Sequence, residues 1–178
     1  MAPSEFDIRF ETTKGDFVAR AYRKWSPNGV DRLHELVKDG FYDGVAFFRV
    51  LDGFVAQFGI SGDHEEGAKW REKPIEDDPV KAENTEGRIT FAMAGPGTRT
   101  TQLFVNLADN RRLDTMGFAP VAEVTEGMDV VRELHGGYGE GAPRGNGPDQ
   151  GKIHERGNDY LEESFPELDY IKKATIDT

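Results

Sequence analysis

The chain has no cysteine. Disulfides, thiolate nucleophiles and cysteine-based zinc sites are therefore excluded. Nor does it contain an apolar run near the roughly 18 residues needed to span a bilayer. Histidine is scarce: His34, His64, His135 and His154 are dispersed and lack metal-ligand spacing. His64-Glu65-Glu66 has no second histidine four positions on, so it is not a zincin helix. Basic residues are few, 22 against 33 acidic ones, for a formal charge of −11. Phosphate backbones and anionic lipid surfaces both call for a basic face, so neither nucleic acid nor a membrane is an expected partner. An acidic, solvated surface is expected instead.

Other weak signals lead nowhere. Glu76-Asp77-Asp78 lacks the spacing of a calcium loop and reads as a solvated turn. Gly139-Glu140-Gly141 and Gly145-Asn146-Gly147 do not follow a strand and open a helix, so they do not suggest a nucleotide. No serine has an evident histidine and carboxylate arrangement, so nothing argues for a hydrolase. The expectation is no metal and no cofactor. The start, MAPSEFDIRF, has no basic residue followed by an apolar stretch, which gives a cytoplasmic expectation; a trimmed secreted chain would read the same.

What is present suits one globular domain over residues 1–178. Hydrophobic residues make up 37% of the chain and include 12 Phe, enough for a sizeable core. Residues 7–12 and 17–22 alternate apolar and polar positions around a Lys14-Gly15-Asp16 turn, as in a hairpin with one buried face. Ser26-Pro27-Asn28 opens a helix whose Val30, Leu33, Leu36 and Val37 share a face and which stops at Gly40. Strands follow around Phe47–Val50 and Phe54–Phe58. The stretch from Ser61 to Gly87 reads as a long loop with a short ordered piece around Trp70. Ile89–Ala94, Leu103–Leu107 and Ala119–Val124 read as strands, and Thr125–Leu134 as a short helix. Tyr138–Asn158 is rich in Gly and Pro; it is either a linker or an ordered surface insertion, and the chain continuing beyond it favours the insertion. Tyr160–Phe165 reads as a helical turn and Tyr170–Ile176 as a closing strand. The expected fold is mainly β: a closed eight-stranded antiparallel β-barrel capped by two α-helices.

Two segments carry the functional signal. FYDGVAFFRVLDGFVAQFGISGD, Phe41 to Asp63, sets Arg49 among aromatic and aliphatic residues, with Phe54, Val55 and Gln57 close behind. An arginine there is either a structural ion-pair partner or a working donor in an apolar pocket. FAMAGPGTRTTQLFVNLADNRRLD, Phe91 to Asp114, favours the second reading. The first segment resembles the cyclophilin pattern FYDG-x-x-FHRV-x-x-GF-x-x-QGG. The second is similar to the family's M-A-N-A-G-P-x-T-x-x-S-Q-F-F-I run and the WLDG that follows. VAEVTEGMDVVREL is similar to its FGKV-x-x-GM-x-V-V stretch. The resemblance covers roughly Phe6 to Leu134, and two separated, ordered motifs make it specific.

Cyclophilins are peptidyl-prolyl cis-trans isomerases, so the resemblance implies proline-containing peptides or unfolded chains as partners, a monomer, and no cofactor. The reaction rotates a C–N bond whose barrier is about 18–20 kcal/mol. It needs no nucleophile or proton transfer. It needs an apolar seat for the proline ring and a donor aimed at the imide nitrogen as its lone pair localises. A guanidinium, always charged and carrying five donors, suits that task. Such a contact stabilises the twisted state more than the planar one.

Position by position, the resemblance makes Arg49 the catalytic arginine and Gln57 the glutamine that fixes the arginine and the substrate backbone. Phe54, Phe104 and Leu113 become the floor and wall of the proline pocket. Ala92 and Met93 lie on the strand along which substrate runs, with Gln102 a polar contact beside it. Several positions depart from the pattern. Phe48 replaces a histidine, Phe58 a glycine, Val55 a methionine and Met93 an asparagine. Arg112 replaces the tryptophan that supports cyclosporin A, so weak binding of that drug is implied. The stretch from Asp114 to Val121 reads one residue long, which leaves Phe118 as a pocket-edge candidate. A non-catalytic proline-peptide-binding module on the same fold is the alternative.

Overall fold

The computed structural model describes residues 1–177. Eight antiparallel strands form one curled sheet: β1 (Glu5–Thr12), β2 (Gly15–Tyr22), β3 (Arg49–Leu51), β4 (Val55–Phe58), β5 (Arg88–Phe91), β6 (Leu103–Asn106), β7 (Pro120–Glu126) and β8 (Ile171–Asp177). Their order is β3-β4-β6-β5-β7-β2-β1-β8. The helices are α1 (Pro27–Lys38), α2 (His64–Arg71), α3 (Met128–Arg132), α4 (Gln150–Arg156) and α5 (Asn158–Ser164).

Strand alternation sorts the side chains onto two faces. The cross-strand row Val50–Ala56–Val105–Ile89–Ala122 points into the main core, where it meets Phe10, Phe17, Phe47 and Phe91. The neighbouring row, Arg49–Gln57–Phe104–Thr90, therefore points outward. Phe58 belongs to the inner row and is fully buried against the rings of Phe10, Tyr42 and Phe47. That packing accounts for a large aromatic where the family pattern has glycine. Gly59 beside it has φ of +110°, and a Cβ there would lie 2.5 Å from the Thr101 carbonyl oxygen, so only glycine fits.

The closed barrel is corrected. Edge strands β3 and β8 share no ladder, and the sheet is an open half-barrel. The cause is local: β3 is only three residues long, and the chain before it turns at Tyr42–Gly44. Ahead of β3, Gly44 N–H donates to Ile171 O at the start of β8 at 2.7 Å, Ile171 N–H to Val45 O at 2.8 Å and Phe47 N–H to Asp169 O at 2.9 Å.

Helices also exceed expectation. The long loop after Ser61 contains α2, started by the Asp63 carboxylate, which accepts from the Glu65 and Glu66 N–H groups. The Thr125–Leu134 helix shrinks to α3 because β7 runs on to Glu126. Strand β5 stops at Phe91, short of Ala94. The α1 start is capped from a distance. Ser26 makes no side-chain cap bond to its own helix, and the Asp78 carboxylate instead accepts from the N–H of Asn28 and Gly29. Asp78 is thus buried, also accepting from Ser26 Oγ at 2.5 Å and Arg99 Nη2 at 3.0 Å, and is no solvated turn residue.

The Tyr138–Asn158 segment folds back on itself, with Gly147 N–H donating to Glu140 O at 2.8 Å and Ala142 N–H to Gly147 O at 3.2 Å. The Ala142–Pro143 peptide bond is cis. Helix α4 and the insertion's anchor residues build a second apolar cluster with Ala46, Phe48, Ile60, Tyr160, Leu161 and Leu168. Phe48 is 3% exposed within it, which explains a hydrophobe where the family pattern has histidine.

Candidate active site

A cavity of about 410 Å³ opens on the outward face of β3, β4 and β6. The β3–β4 register places Arg49 directly opposite Gln57, and the β4–β6 register places Gln57 opposite Phe104. These three side chains therefore meet at one wall although 55 positions separate the first from the last. Val55, Phe104 and Leu113 form a small apolar cluster separate from the main core, with Phe54, Ala92 and Phe118 packed against it. The Phe104 and Phe118 rings meet edge to face at 5.9 Å.

Of the ten sequence-predicted site residues, nine line this cavity: Arg49, Phe54, Val55, Gln57, Ala92, Met93, Phe104, Leu113 and Phe118. Gln102 lies outside it and lines a neighbouring cavity of about 270 Å³ with Gln57, Ala92 and Met93. The two cavities are joined by a polar chain: Gln57 Nε2 donates to Gln102 Oε1 at 2.9 Å, and Arg49 Nη1 donates to Gln57 Oε1 at 2.9 Å. Ala92 N–H donates to the Gln102 carbonyl, fixing the backbone between them.

Two cations face the Phe54 ring. The guanidinium carbon of Arg49 is 5.7 Å from its centroid and that of Arg112 is 5.1 Å. Contacts of this type contribute about 0.5–1 kcal/mol at exposed sites.

Sequence reasoning missed the insertion's share of the site. Glu140, Ala142, Pro143 and Gln150 line the same cavity. Glu140 accepts two bonds from Arg49, from Nε at 2.8 Å and from Nη2 at 2.8 Å. This bidentate pair pulls the Glu140 carboxyl below its ordinary value; partial burial opposes the shift and the Gly141 N–H adds to it. Arg49 is thus ion-paired and also lines the cavity. The available signal was the glycine pattern GEGAPRGNG, which marks tight turns without saying what they face. Among the described residues, no group of three or more His, Asp or Glu side chains is placed to hold a metal ion. No described helix is long and apolar enough to cross a membrane.

The family model "Cyclophilin type peptidyl-prolyl cis-trans isomerase/CLD" matches residues 7–154. The chain is 31% identical over 140 residues to peptidyl-prolyl cis-trans isomerase B of Escherichia coli, covering 72% of this chain and 84% of that protein. It is 31% identical over 138 residues to a peptidyl-prolyl cis-trans isomerase of Acinetobacter baylyi, covering 71% and 70%. Its fold superposes on a crystal structure of a Cryptosporidium parvum cyclophilin type peptidyl-prolyl cis-trans isomerase with a TM-score of 0.69 at 16% identity, over 98% of each chain. A second crystal structure of that protein, in the presence of the dipeptide Ala-Pro, gives a TM-score of 0.67.

Proposed function

The chain belongs to the cyclophilin-type peptidyl-prolyl cis-trans isomerase family, and from that premise we propose that it catalyses rotation about X-Pro bonds at the cavity bounded by Arg49, Phe54 and Phe104. The single observation that carries the reading is the Arg49–Gln57–Phe104 row. It sets a guanidinium, held by a glutamine, beside an apolar seat open to solvent. In this reading the proline ring rests on Phe104, Leu113 and Phe118, with Phe54 and Val55 at the flank. The substrate backbone runs beside Ala92 and Met93 and reaches Gln102. Arg49 donates to the imide nitrogen as conjugation is lost. A low-dielectric pocket strengthens that contact in the twisted state. The substrates are proline-containing peptides and unfolded chains, the protein acts as a monomer, and neither nucleic acid nor a membrane takes part. The relative whose structure was solved in the presence of Ala-Pro supports this substrate class.

A protease-coupled isomerisation assay on a short X-Pro peptide tests the reading, with wild type beside Arg49→Ala. Fast turnover that drops at least tenfold in the variant is expected. A folded wild-type protein that binds the peptide without turning it over would replace this reading with the binding module.

A further inference from the structure

Arg49 is clasped from two sides. Gln57 on β4 takes one N–H, and Glu140 on the insertion takes the Nε and Nη2 hydrogens as a parallel pair. A guanidinium has five N–H groups, so these three bonds leave one on Nη1 and one on Nη2. Two-sided bonding fixes the guanidinium plane, because a fork-to-fork carboxylate pair is directional as well as strong. An unclasped arginine has rotamer entropy to lose when it engages a ligand.

Glu140 is itself held. The Gly141 N–H donates to its Oε1, and its backbone carbonyl accepts from the Gly147 N–H at 2.8 Å. A Cβ on Gly147 would meet the Glu140 and Gly139 carbonyls, so this turn requires glycine. The turn is anchored in the second apolar cluster through Tyr138, whose ring packs on Phe165 at 4.9 Å. At the other end of the polar chain, Gln102 donates to Gln150 on α4. The insertion therefore grips the Gln102–Gln57–Arg49 chain at both ends. It does not fill the cavity, because Pro143 is exposed at the rim and the space remains open.

We propose that Glu140 is a positioning residue of the isomerase site, holding the Arg49 guanidinium in the orientation from which its free N–H groups meet the twisting imide. The proposal rests on the isomerase reading above. In this role Glu140 acts through Arg49.

The test measures kcat and KM of wild type, Glu140→Gln, Glu140→Asp and Arg49→Ala on one Ala-Pro peptide. The Arg49 Nε–H resonance is followed in the same samples. Glu140→Gln is expected to lower kcat about tenfold with KM within about twofold, the signature of a contact that matters in the transition state. Glu140→Asp should recover part of the loss. The Nε–H resonance should lose its protection from exchange in Glu140→Gln. Unchanged kcat in that variant, while Arg49→Ala is inactive, would overturn the positioning role and leave the isomerase reading intact. A raised kcat/KM would overturn it too, by making Glu140 a latch. Wild-type turnover no better than Arg49→Ala would sink both readings.

Discussion

Asn110 donates its side-chain amide to the backbone carbonyl of Phe54 at 2.9 Å, tying the β6–β7 connection to the residue that flanks the cavity. The same amide reaches Asn106 Oδ1, Asn106 reaches Asn84 Oδ1, and Asn84 donates to Asp114 and to the Phe118 carbonyl. Phe54 and Phe118 both line the pocket, and this buried network holds a backbone carbonyl of each.

Asn84 is the network's hub. It is fully buried, its amide donates twice, and its oxygen accepts from Thr90 Oγ1 and Asn106. Asn84→Ala strands several polar groups at once. The expected cost is about 3 kcal/mol, which lowers the melting midpoint by roughly 10 °C in a domain of this size. A thermal melt checks the stability. A raised KM on the same protein checks the pocket geometry, and a change below 3 °C would show that water satisfies the stranded groups.

The network also shows what a sequence discloses. Arg49, Gln57 and Phe104 were legible through the family motifs they stand in, and the register of β3, β4 and β6 is what brings them together. The aromatic departures were visible but unexplained, since Phe48 and Phe58 make sense only once their packing partners are placed. Glu140 was invisible: it reaches Arg49 across 91 positions, from a glycine-rich segment whose local pattern says only that it turns. Asp78 misled for the opposite reason. Acidic runs are usually solvated, and nothing local announces that a helix start 50 positions away needs a cap.

Asp78 and Arg99 each leave only 4% of the side chain exposed. Removing one partner of such a pair leaves a buried charge, at a cost of about 3–5 kcal/mol. Asp78→Ala should cost this much, with the loss of the α1 cap included, and chemical denaturation reads it directly. The pH dependence has a definite sign. Burial pushes the carboxyl up, but the bonds from Ser26, Gly29, Arg99 and Asn28 together draw it below its ordinary value of 3.8. Its contribution is therefore complete above that value and is lost as pH falls through the lower folded one. Wild type should lose more stability than Asp78→Ala between pH 4 and pH 2, and parallel curves would refute the assignment.

Arg112 covers the Phe54 ring where the family pattern has tryptophan. A guanidinium there offers charge and donors but no broad apolar face for a lipophilic cyclic peptide. Weak cyclosporin A binding is expected, and Arg112→Trp should tighten it at least tenfold while turnover of a short peptide stays within about twofold. Calorimetric titration decides; equal affinities would place the determinant elsewhere, with Val55 the next candidate.

His154 gives a pH signature to the insertion itself. It sits half-buried on α4, its Nδ1 has no partner among the described residues, and α4 packs on α2, which carries Arg71. Burial, with Arg71 adding to it, pushes the imidazole down to about 4 from an ordinary 6.5. Between those values the unfolded chain holds the proton and the folded one does not, so stability is full above 6.5 and declines as pH falls toward 4. The melting midpoint should therefore drop between pH 7.5 and pH 5, before most carboxylates titrate. His154→Gln, which cannot take up the proton, should flatten that slope. Hydrogen exchange should show the acid loosening first in α4 and α5, the supports of the segment that carries Glu140. A melting midpoint that does not move between the two pH values, or a slope that survives His154→Gln, would mean that the ring is solvated and the insertion holds without it.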